Sequence, residues 1–310
     1  MKPLSSRPPM SANAQGAVWI LLSVVGATAM TLGVRQVAQD IHTVMLAFIR
    51  SALALLPVLP LLHRVRWHGS TAPAPRRSAI RFTAWQLHLF RGVALVGALN
   101  GGFYAVWQLP LATATILFFL APVFATAFAG PILGETVGIR RWGAVLTGFT
   151  GAIVILRPGV QPIDAGMLAA VASAMCYAAV LIAGRLATNR DGTEAVFVSS
   201  SVIAAVGTLP PATLYWDLPT GAVTWLLIMV IVAASSLRSY ADIRAYAVGD
   251  ASFLAPFTYL RLLTVGIAGY VLFGETVDGV TALGGCVIIA STLYIAVREA
   301  QLNRRLGGAP

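Results

Sequence analysis

The segments "FAGPILGETV" (residues 128–137) and "GYVLFGETV" (residues 269–277) both end in the tetrapeptide Gly-Glu-Thr-Val. Each copy closes an apolar run, and the chain has only 11 acidic residues in 310. Placing the same glutamate twice at the end of a hydrophobic segment is unusual in such a sequence. The repetition therefore predicts an internal duplication.

The composition is that of a membrane protein. Hydrophobic residues make up 58% of the chain and charged residues only 10%, whereas a soluble domain carries about 25% charged residues. A crossing of the hydrocarbon core needs about 20 apolar residues. Ten such spans are predicted: 16–34, 42–62, 88–107, 111–132, 141–157, 166–184, 195–215, 222–241, 251–272 and 280–297.

The basic residues predict the orientation. Of the 21 bases, only Arg35 and Arg157 fall between spans on one side, and Arg50 and Arg261 fall inside spans. The other seventeen, Arg238 among them, are assigned to the opposite side or its flanks. Basic loops stay in the cytoplasm, so both termini are predicted to be cytoplasmic in a multi-pass protein of the bacterial inner membrane. A positive patch for nucleic acid is not expected, because the bases alternate with apolar runs.

The two halves of the chain can be aligned. The segment "GAVWILLSVVGATAMTLGVR" (16–35) resembles "GMLAAVASAMCYAAVLIAGR" (166–185), and the two GETV copies align later. A half with five spans makes the second half enter the membrane inverted, a frequent design of secondary transporters. The predicted organisation is a tail (1–15), a first repeat (16–157), a second, inverted repeat (166–297) and a tail (298–310). A cleaved signal peptide in place of the first span would break this five-plus-five pairing.

The chain resembles the drug/metabolite transporter superfamily in its ten-span EamA-type branch. The resemblance is carried by residues 111–156 and 243–299, each with one GETV copy, and by Arg50 in "AFIRSALALL". It implies an all-α protein of ten transmembrane helices in two inverted EamA repeats around a central cavity. It also implies movement of small metabolites, with exporters of amino acids, including aromatic ones, as prominent members.

No enzyme or cofactor motif is present. The sequence has no GxxxxGK[ST] phosphate loop and no HExxH or CxxC metal spacing, so no catalytic residue, metal or cofactor is predicted. Acids inside the spans are too few to form a clear proton relay. This scarcity favours gradient-driven movement or exchange.

The arginines inside spans are candidates for binding a substrate carboxylate. A charge at the membrane centre costs at least about 2.5 kcal/mol, so Arg50 and Arg261 are expected to face the protein interior or water. Each has a structural alternative, which is bonding to backbone carbonyls freed by nearby prolines or pairing with another helix.

Several polar residues in spans are candidates for lining the cavity. Asn100, Tyr104 and Trp107 recur on one stripe of the third span, with interhelical hydrogen bonding and an interfacial aromatic belt as the alternative. Further candidates share a hydroxyl group within an apolar span, with close helix packing as the alternative; they are Tyr177, Ser239, Tyr240 and Tyr259. Two prolines, Pro122 and Pro256, are candidate helix hinges.

The repeated glutamates are predicted to be repeat connectors. Topology places Glu135 and Glu275 on opposite faces of the membrane, so they cannot share a proton. The glycine of each copy suits a helix C-terminal cap, and the glutamate suits the positive end of the next helix. The alternative is ion pairing beside a gate.

The sequence thus predicts a non-ATP transporter, not an enzyme, that exports small metabolites, amino acids above all, by alternating access. Its predicted partners are this substrate and the lipid bilayer. The alternatives are a drug exporter or metabolite importer of the same superfamily, and a non-transporting sensor or lipid-handling enzyme.

Overall fold

The computed structural model describes residues 12–56, 58–59, 80, 82–133, 138–160, 164–248, 254 and 257–307. In this part of the chain all regular structure is helical, which confirms the predicted all-α class. The helices are α1 (Ala12–Val37), α2 (Thr43–Leu53), α3 (Trp85–Gln108), α4 (Leu111–Phe118), α5 (Ala121–Leu133), α6 (Ile139–Leu156), α7 (Ala165–Thr213), α8 (Ala222–Val248), α9 (Leu260–Phe273) and α10 (Gly279–Gly307).

Within the described residues, six helical stretches are long and apolar enough to cross a membrane, and three shorter apolar helices accompany them. The longest helix, α7, has 49 residues and is interrupted at Gly192, where φ is 85°. At 1.5 Å per residue its length is about 70 Å, more than twice the hydrocarbon thickness of about 30 Å. The two parts of α7 are therefore each long enough for one crossing. The ten crossings and the cytoplasmic termini stay predictions.

The predicted fourth span is broken into two helices. Helix α4 ends at Phe118 and α5 begins at Ala121, directly before Pro122. Proline has no backbone N–H to donate to the carbonyl of residue i−4, so the helix is interrupted there. All seven residues from Leu111 to Leu117 are buried, which places α4 in the centre of the main hydrophobic core.

When the two halves of the chain are aligned, the main helix contacts of one half correspond to those of the other. Helix α1 packs on α8, and α3 packs on α7. In the alignment of the halves, α1 corresponds to the start of α7 and α3 corresponds to α8. One contact therefore maps onto the other, as two inverted copies require.

Helices α6 and α10 form a contact that maps onto itself. A Cβ atom added to Gly151 would lie 2.8 Å from the carbonyl oxygen of Gly284, and a Cβ on Gly284 would lie 2.8 Å from that of Gly151. The next turn repeats the pattern, because Gly151 faces Ile288 while Gly284 faces Ile155. Small residues let the two backbones approach closely. The pattern is that of an antiparallel, self-complementary pair between the halves.

Candidate functional site

A cavity of about 280 Å³ lies at the centre of the bundle. Its wall combines helices from both halves, namely α1, α3, α4 and α5 with α7, α8 and α9. The wall is mostly apolar, with a few polar groups, as in ligand pockets generally. The polar side chains of the wall are Thr31, Thr115, Ser173, Tyr177, Arg238 and Arg261.

Two arginines supply the positive charge of the cavity. The Nη2 atom of Arg261 is 3.5 Å from the Thr31 hydroxyl, and its buried Nε atom has no hydrogen-bond partner in the described part of the chain. Arg238 reaches Asp242 at 3.8 Å, and the same carboxylate accepts a 2.5 Å hydrogen bond from Ser23. Asp242 thus joins Arg238 on its own helix to Ser23 on α1.

The remaining wall offers hydroxyl groups and aromatic rings. The Thr115 side chain is 1% exposed, and its hydroxyl has no partner among the described residues. Ser173 donates to the Ala98 carbonyl at 2.7 Å. Phe118 and Phe119 line the cavity where α4 ends. The site can therefore hold an oxyanion on one wall and an apolar or aromatic group on another.

Two of the residues predicted to bind substrate line the cavity, and two more lie near it. Arg261 and Tyr177 are part of the wall. The Tyr259 ring packs on Phe119, a wall residue, with 4.8 Å between ring centroids. Arg50 is close enough to Arg238 to repel it electrostatically, but it does not line the cavity.

The predicted polar stripe of α3 lies outside the cavity wall. Asn100 donates to the Val96 carbonyl at 2.9 Å. The Tyr104 hydroxyl is 3.4 Å from the Gln108 amide nitrogen, and its ring packs edge-on against Trp107. The wall is formed instead by the neighbouring face of α3, which carries Leu95, Ala98, Leu99, Gly102, Phe103 and Val106. Helical spacing predicted the stripe, but the packing of α3 on α7 determines which face meets the cavity.

The two candidates on α8 also lie off the wall. Ser239 donates to the Ser235 carbonyl at 2.9 Å. Tyr240 is exposed and packs edge-on against Trp19. The residue that reaches the cavity is their neighbour Arg238, which the charge pattern of the sequence had assigned to the basic side of the membrane. Its position inside the predicted span 222–241 was the available signal.

Of the two hinge candidates, Pro122 lines the cavity directly after the break between α4 and α5. Pro256 lies outside the described residues. Glu135 and the first GETV copy also lie outside them.

The second GETV copy connects α9 to three other helix ends. Gly274 terminates α9 in a left-handed conformation with φ 66°. Glu275 forms an ion pair with Arg35 at 2.9 Å and accepts a 2.6 Å hydrogen bond from the Leu111 amide at the start of α4. Arg35, at the end of α1, also donates to the carbonyls of Val106 and Trp107.

The expected contact of Glu275 with the next helix, α10, is wrong. Asp278 caps α10, because its Oδ1 atom accepts from the amides of Val280 and Thr281 at 3.1 Å each. Hydrogen bonds from Thr281, opposed by partial burial and aided by the Arg157 guanidinium, lower the Asp278 pKa to about 2. Glu275 serves the N-terminus of α4 instead, which is distant in sequence.

A buried polar cluster lies at the opposite end of α3. The Asp191 carboxylate accepts from the Ala84 amide at 2.9 Å and from the Thr83 hydroxyl, and it lies 2.9 Å from Nε2 of His88. Burial raises the Asp191 pKa, but these hydrogen bonds outweigh it and lower the pKa to about 2. His88 Nδ1 lies 2.7 Å from the Ser199 hydroxyl. The order Asp191, His88, Ser199 resembles the catalytic triad of a serine hydrolase. Because Ser199 is only 8% exposed, the cluster has a structural role rather than a hydrolytic one.

Metal-ligating side chains do not gather in the described ranges, where no group of three His, Cys, Asp or Glu residues could hold an ion. The polar groups that converge do so around the cavity. Arginine and hydroxyl groups there bind oxyanions rather than metal cations.

Comparison with known proteins agrees with this architecture. The model of the EamA-like transporter family matches residues 14–157 and 164–297. A solved crystal structure with 18% sequence identity shares the fold with a TM-score of 0.57, covering 95% of this chain and 99% of that one.

Several curated relatives align over nearly the whole chain. An S-adenosylmethionine uptake transporter of Rickettsia felis is 29% identical over 94% of this chain and 95% of its own length. A riboflavin transporter of Vibrio cholerae is 29% identical over 94% and 96%. A pseudopaline exporter of Pseudomonas aeruginosa is 25% identical over 89% and 95%. These relatives are transporters rather than enzymes, and the family model covers both halves: the chain belongs to the EamA-like transporter family.

Proposed function

We propose that this protein exports small metabolites, amino acids first among them, by alternating access across the bacterial inner membrane. In this proposal ten spans form two inverted halves, residues 16–157 and 166–297, with both termini in the cytoplasm. The basic residues flanking the spans support the orientation. The family membership supports the movement of a small metabolite.

The central cavity is the observation that carries the proposal. It lies between the halves and takes its wall from helices of both. A midplane site at a repeat interface can be exposed to either side when one half rocks against the other. The self-complementary α6–α10 contact supports such a symmetry axis.

The chemistry of the wall supports an amino-acid-sized substrate with a carboxylate. Arg238 and Arg261 offer donors for an oxyanion, and Phe103 and Phe118 offer apolar surface. The volume of about 280 Å³ lies just below the usual range of roughly 300–1,000 Å³, which favours a small substrate. S-adenosylmethionine, named for some relatives, also contains an amino-acid carboxylate.

The proposal is tested with efflux from cells that overexpress the chain and are loaded with labelled amino acids. We expect faster loss of at least one amino acid than in cells without the chain. Gly102→Val should abolish this difference, because Gly102 lines the cavity and an added Cβ would lie 3.1 Å from the Ser173 hydroxyl. Gly143→Val is the matched control, since Gly143 has open space around it. Equal efflux of all twenty amino acids with and without the chain would contradict the amino-acid assignment.

Uptake is the second candidate direction, favoured by the S-adenosylmethionine uptake transporters among the relatives. Right-side-out and inverted membrane vesicles separate the two directions. Export predicts accumulation in inverted vesicles under an imposed gradient, and uptake predicts accumulation in right-side-out vesicles.

A further inference from the structure

The centre of the molecule has an excess of positive charge. Arg238 and Arg261 line the cavity, and Arg50 lies within electrostatic range of Arg238. In the described part of the chain, Asp242 is the one carboxylate that acts on Arg238 or Arg261. The two guanidinium groups of the cavity wall therefore share one acidic neighbour.

This neighbour compensates the charge only in part. Its nearest contact with the Arg238 guanidinium is 3.8 Å, and one of its oxygens is engaged by Ser23 at 2.5 Å. The Nε atoms of Arg50 and Arg261 are buried, and neither has a hydrogen-bond acceptor among the described residues. The buried Thr115 hydroxyl on the same wall also lacks a partner there.

An arrangement of this kind is unfavourable unless an anion completes it. A cation held away from water without a counter-ion costs free energy, and its unmade hydrogen bonds add to that cost. Intramembrane arginines with unused donors that face a cavity indicate a binding role.

We propose that the cavity selects organic anions and disfavours neutral or cationic analogues of the same shape. The oxyanion would lie between Arg238 and Arg261, and the apolar or aromatic body would lie against the phenylalanines of the wall. The described wall has no Asp or Glu to receive an ammonium group. A net anion should therefore bind more tightly than a zwitterion with the same ring. The claim that the transported substrate is an anion rests on the proposed transport function. The preference of the cavity for binding anions does not depend on transport.

The test measures the dissociation constants of four compounds that share one ring and differ in charge. Isothermal titration on the purified full chain in detergent compares 3-phenylpropanoate, phenylalanine, 3-phenylpropanamide and 3-phenylpropylamine. We expect the propanoate to bind roughly tenfold more tightly than the amide, because charge-assisted hydrogen bonds to arginine are lost in the amide. Phenylalanine should bind more weakly than the propanoate, and the amine should bind most weakly. Binding of the amide, the amine or phenylalanine as tight as that of the propanoate, or no binding of the propanoate, would overturn the inference.

Variants assign the effect to the two arginines. Arg238→Gln and Arg261→Gln should each weaken propanoate binding several-fold toward that of the amide, and leave amide binding unchanged. Arg261→Lys keeps the charge but loses the planar fork of donors, so it should fall between wild type and Arg261→Gln. Arg140→Gln is the control, because it removes the same charge from an exposed position. Propanoate binding that survives both cavity substitutions would contradict the assignment.

The melting temperature separates binding from a structural role. Arg261→Gln should raise the Tm of the ligand-free protein by a few degrees, because it removes an incompletely paired charge. A lower Tm would mean that the guanidinium holds the helices together. Anion binding without transport would refute the proposed function and leave this inference standing. Transport of a neutral or cationic compound, unaffected by Arg238→Gln and Arg261→Gln, would refute only this inference.

Discussion

At the residue scale, the arginines of this chain divide according to their counter-ions. Arg35 pairs with Glu275, and Arg157 pairs with Asp278. These are the two bases that the sequence places on the side opposite to the cytoplasm, and both acids belong to the short connector after α9.

The Arg35–Glu275 pair should stabilise the fold measurably. Its side chains are 21% and 12% exposed, and the carboxylate also receives the Leu111 amide. In a double-mutant cycle of Arg35→Gln and Glu275→Gln, we expect a coupling free energy of about 1–2 kcal/mol from unfolding measurements. The matched cycle of Arg157→Gln and Asp278→Asn should give less than about 1 kcal/mol, because Asp278 is 55% exposed. Equal couplings in the two cycles would contradict this ranking.

Asp191 should make the stability depend on pH. Its folded-state pKa of about 2 lies below the unfolded value of about 3.9. The folded state thus gains stability above the unfolded pKa and loses it as pH falls through about 4 toward 2. Asp191→Asn should lower the free energy of unfolding at pH 7 by about 1–2 kcal/mol, and its difference from wild type should shrink at low pH. A difference that stays constant between pH 7 and pH 3 would show that the ionised carboxylate is not the cause.

At the element scale, α3 is held at both ends while its middle forms the cavity wall. His88, near its start, meets the Asp191 cluster, and the carbonyls of Val106 and Trp107, near its end, receive Arg35. The break before Pro122 lies beside the same cavity. A fixed helix opposite an interrupted one is a geometry in which one wall can move while the other keeps its position.

The α6–α10 contact gives a prediction about two equivalent glycines. A Cβ on Gly151 or Gly284 would lie 2.8 Å from the opposing carbonyl oxygen, so Gly151→Ala and Gly284→Ala should each cost about 1–3 kcal/mol of stability through overpacking. Thermal denaturation in detergent measures the loss. Gly143→Ala on the same helix α6 meets open space and should be neutral or slightly stabilising. A loss at only one of the two contact glycines would contradict the self-complementary contact.

At the scale of the whole molecule, the proposed inverted repeat connects the topology with the position of the cavity. The α1–α8 and α3–α7 contacts exchange between the halves, and the cavity lies among these four helices. Two copies that enter the membrane in opposite directions can form equivalent walls toward its two faces. A single rocking motion can then exchange access between them.

The opposite orientation of the repeats is tested with one cysteine on each predicted face. Arg140→Cys and Asp278→Cys are placed singly in a chain whose Cys176 and Cys286 are replaced by alanine. Both positions are exposed in the structure. In intact cells a membrane-impermeant maleimide should label Asp278→Cys and leave Arg140→Cys unlabelled, and inverted vesicles should give the reverse. Labelling of both positions from the same side would refute the inverted topology.

The sequence predicted some site residues and not others, for a physical reason. Arg261 stands out because a charge in an apolar span is costly, and it does line the cavity. Arg238 was counted with Arg244 among the bases of the cytoplasmic side, although α8 continues past it to Val248. Asn100 and Tyr104 share a helical stripe, but a stripe does not show which neighbour it faces.

The sequence alone determined that the chain lies in lipid, that it is helical and that it contains an internal duplication. Its apolar runs must satisfy their own backbone hydrogen bonds in lipid, which selects helices, and the repeated GETV marks the two copies. Tertiary structure decided which faces meet. It brought Glu275 to Arg35 and to the start of α4, and it brought Arg238 and Arg261 to one cavity. These contacts join residues far apart in the chain, and only the packing of helix against helix determines such distances.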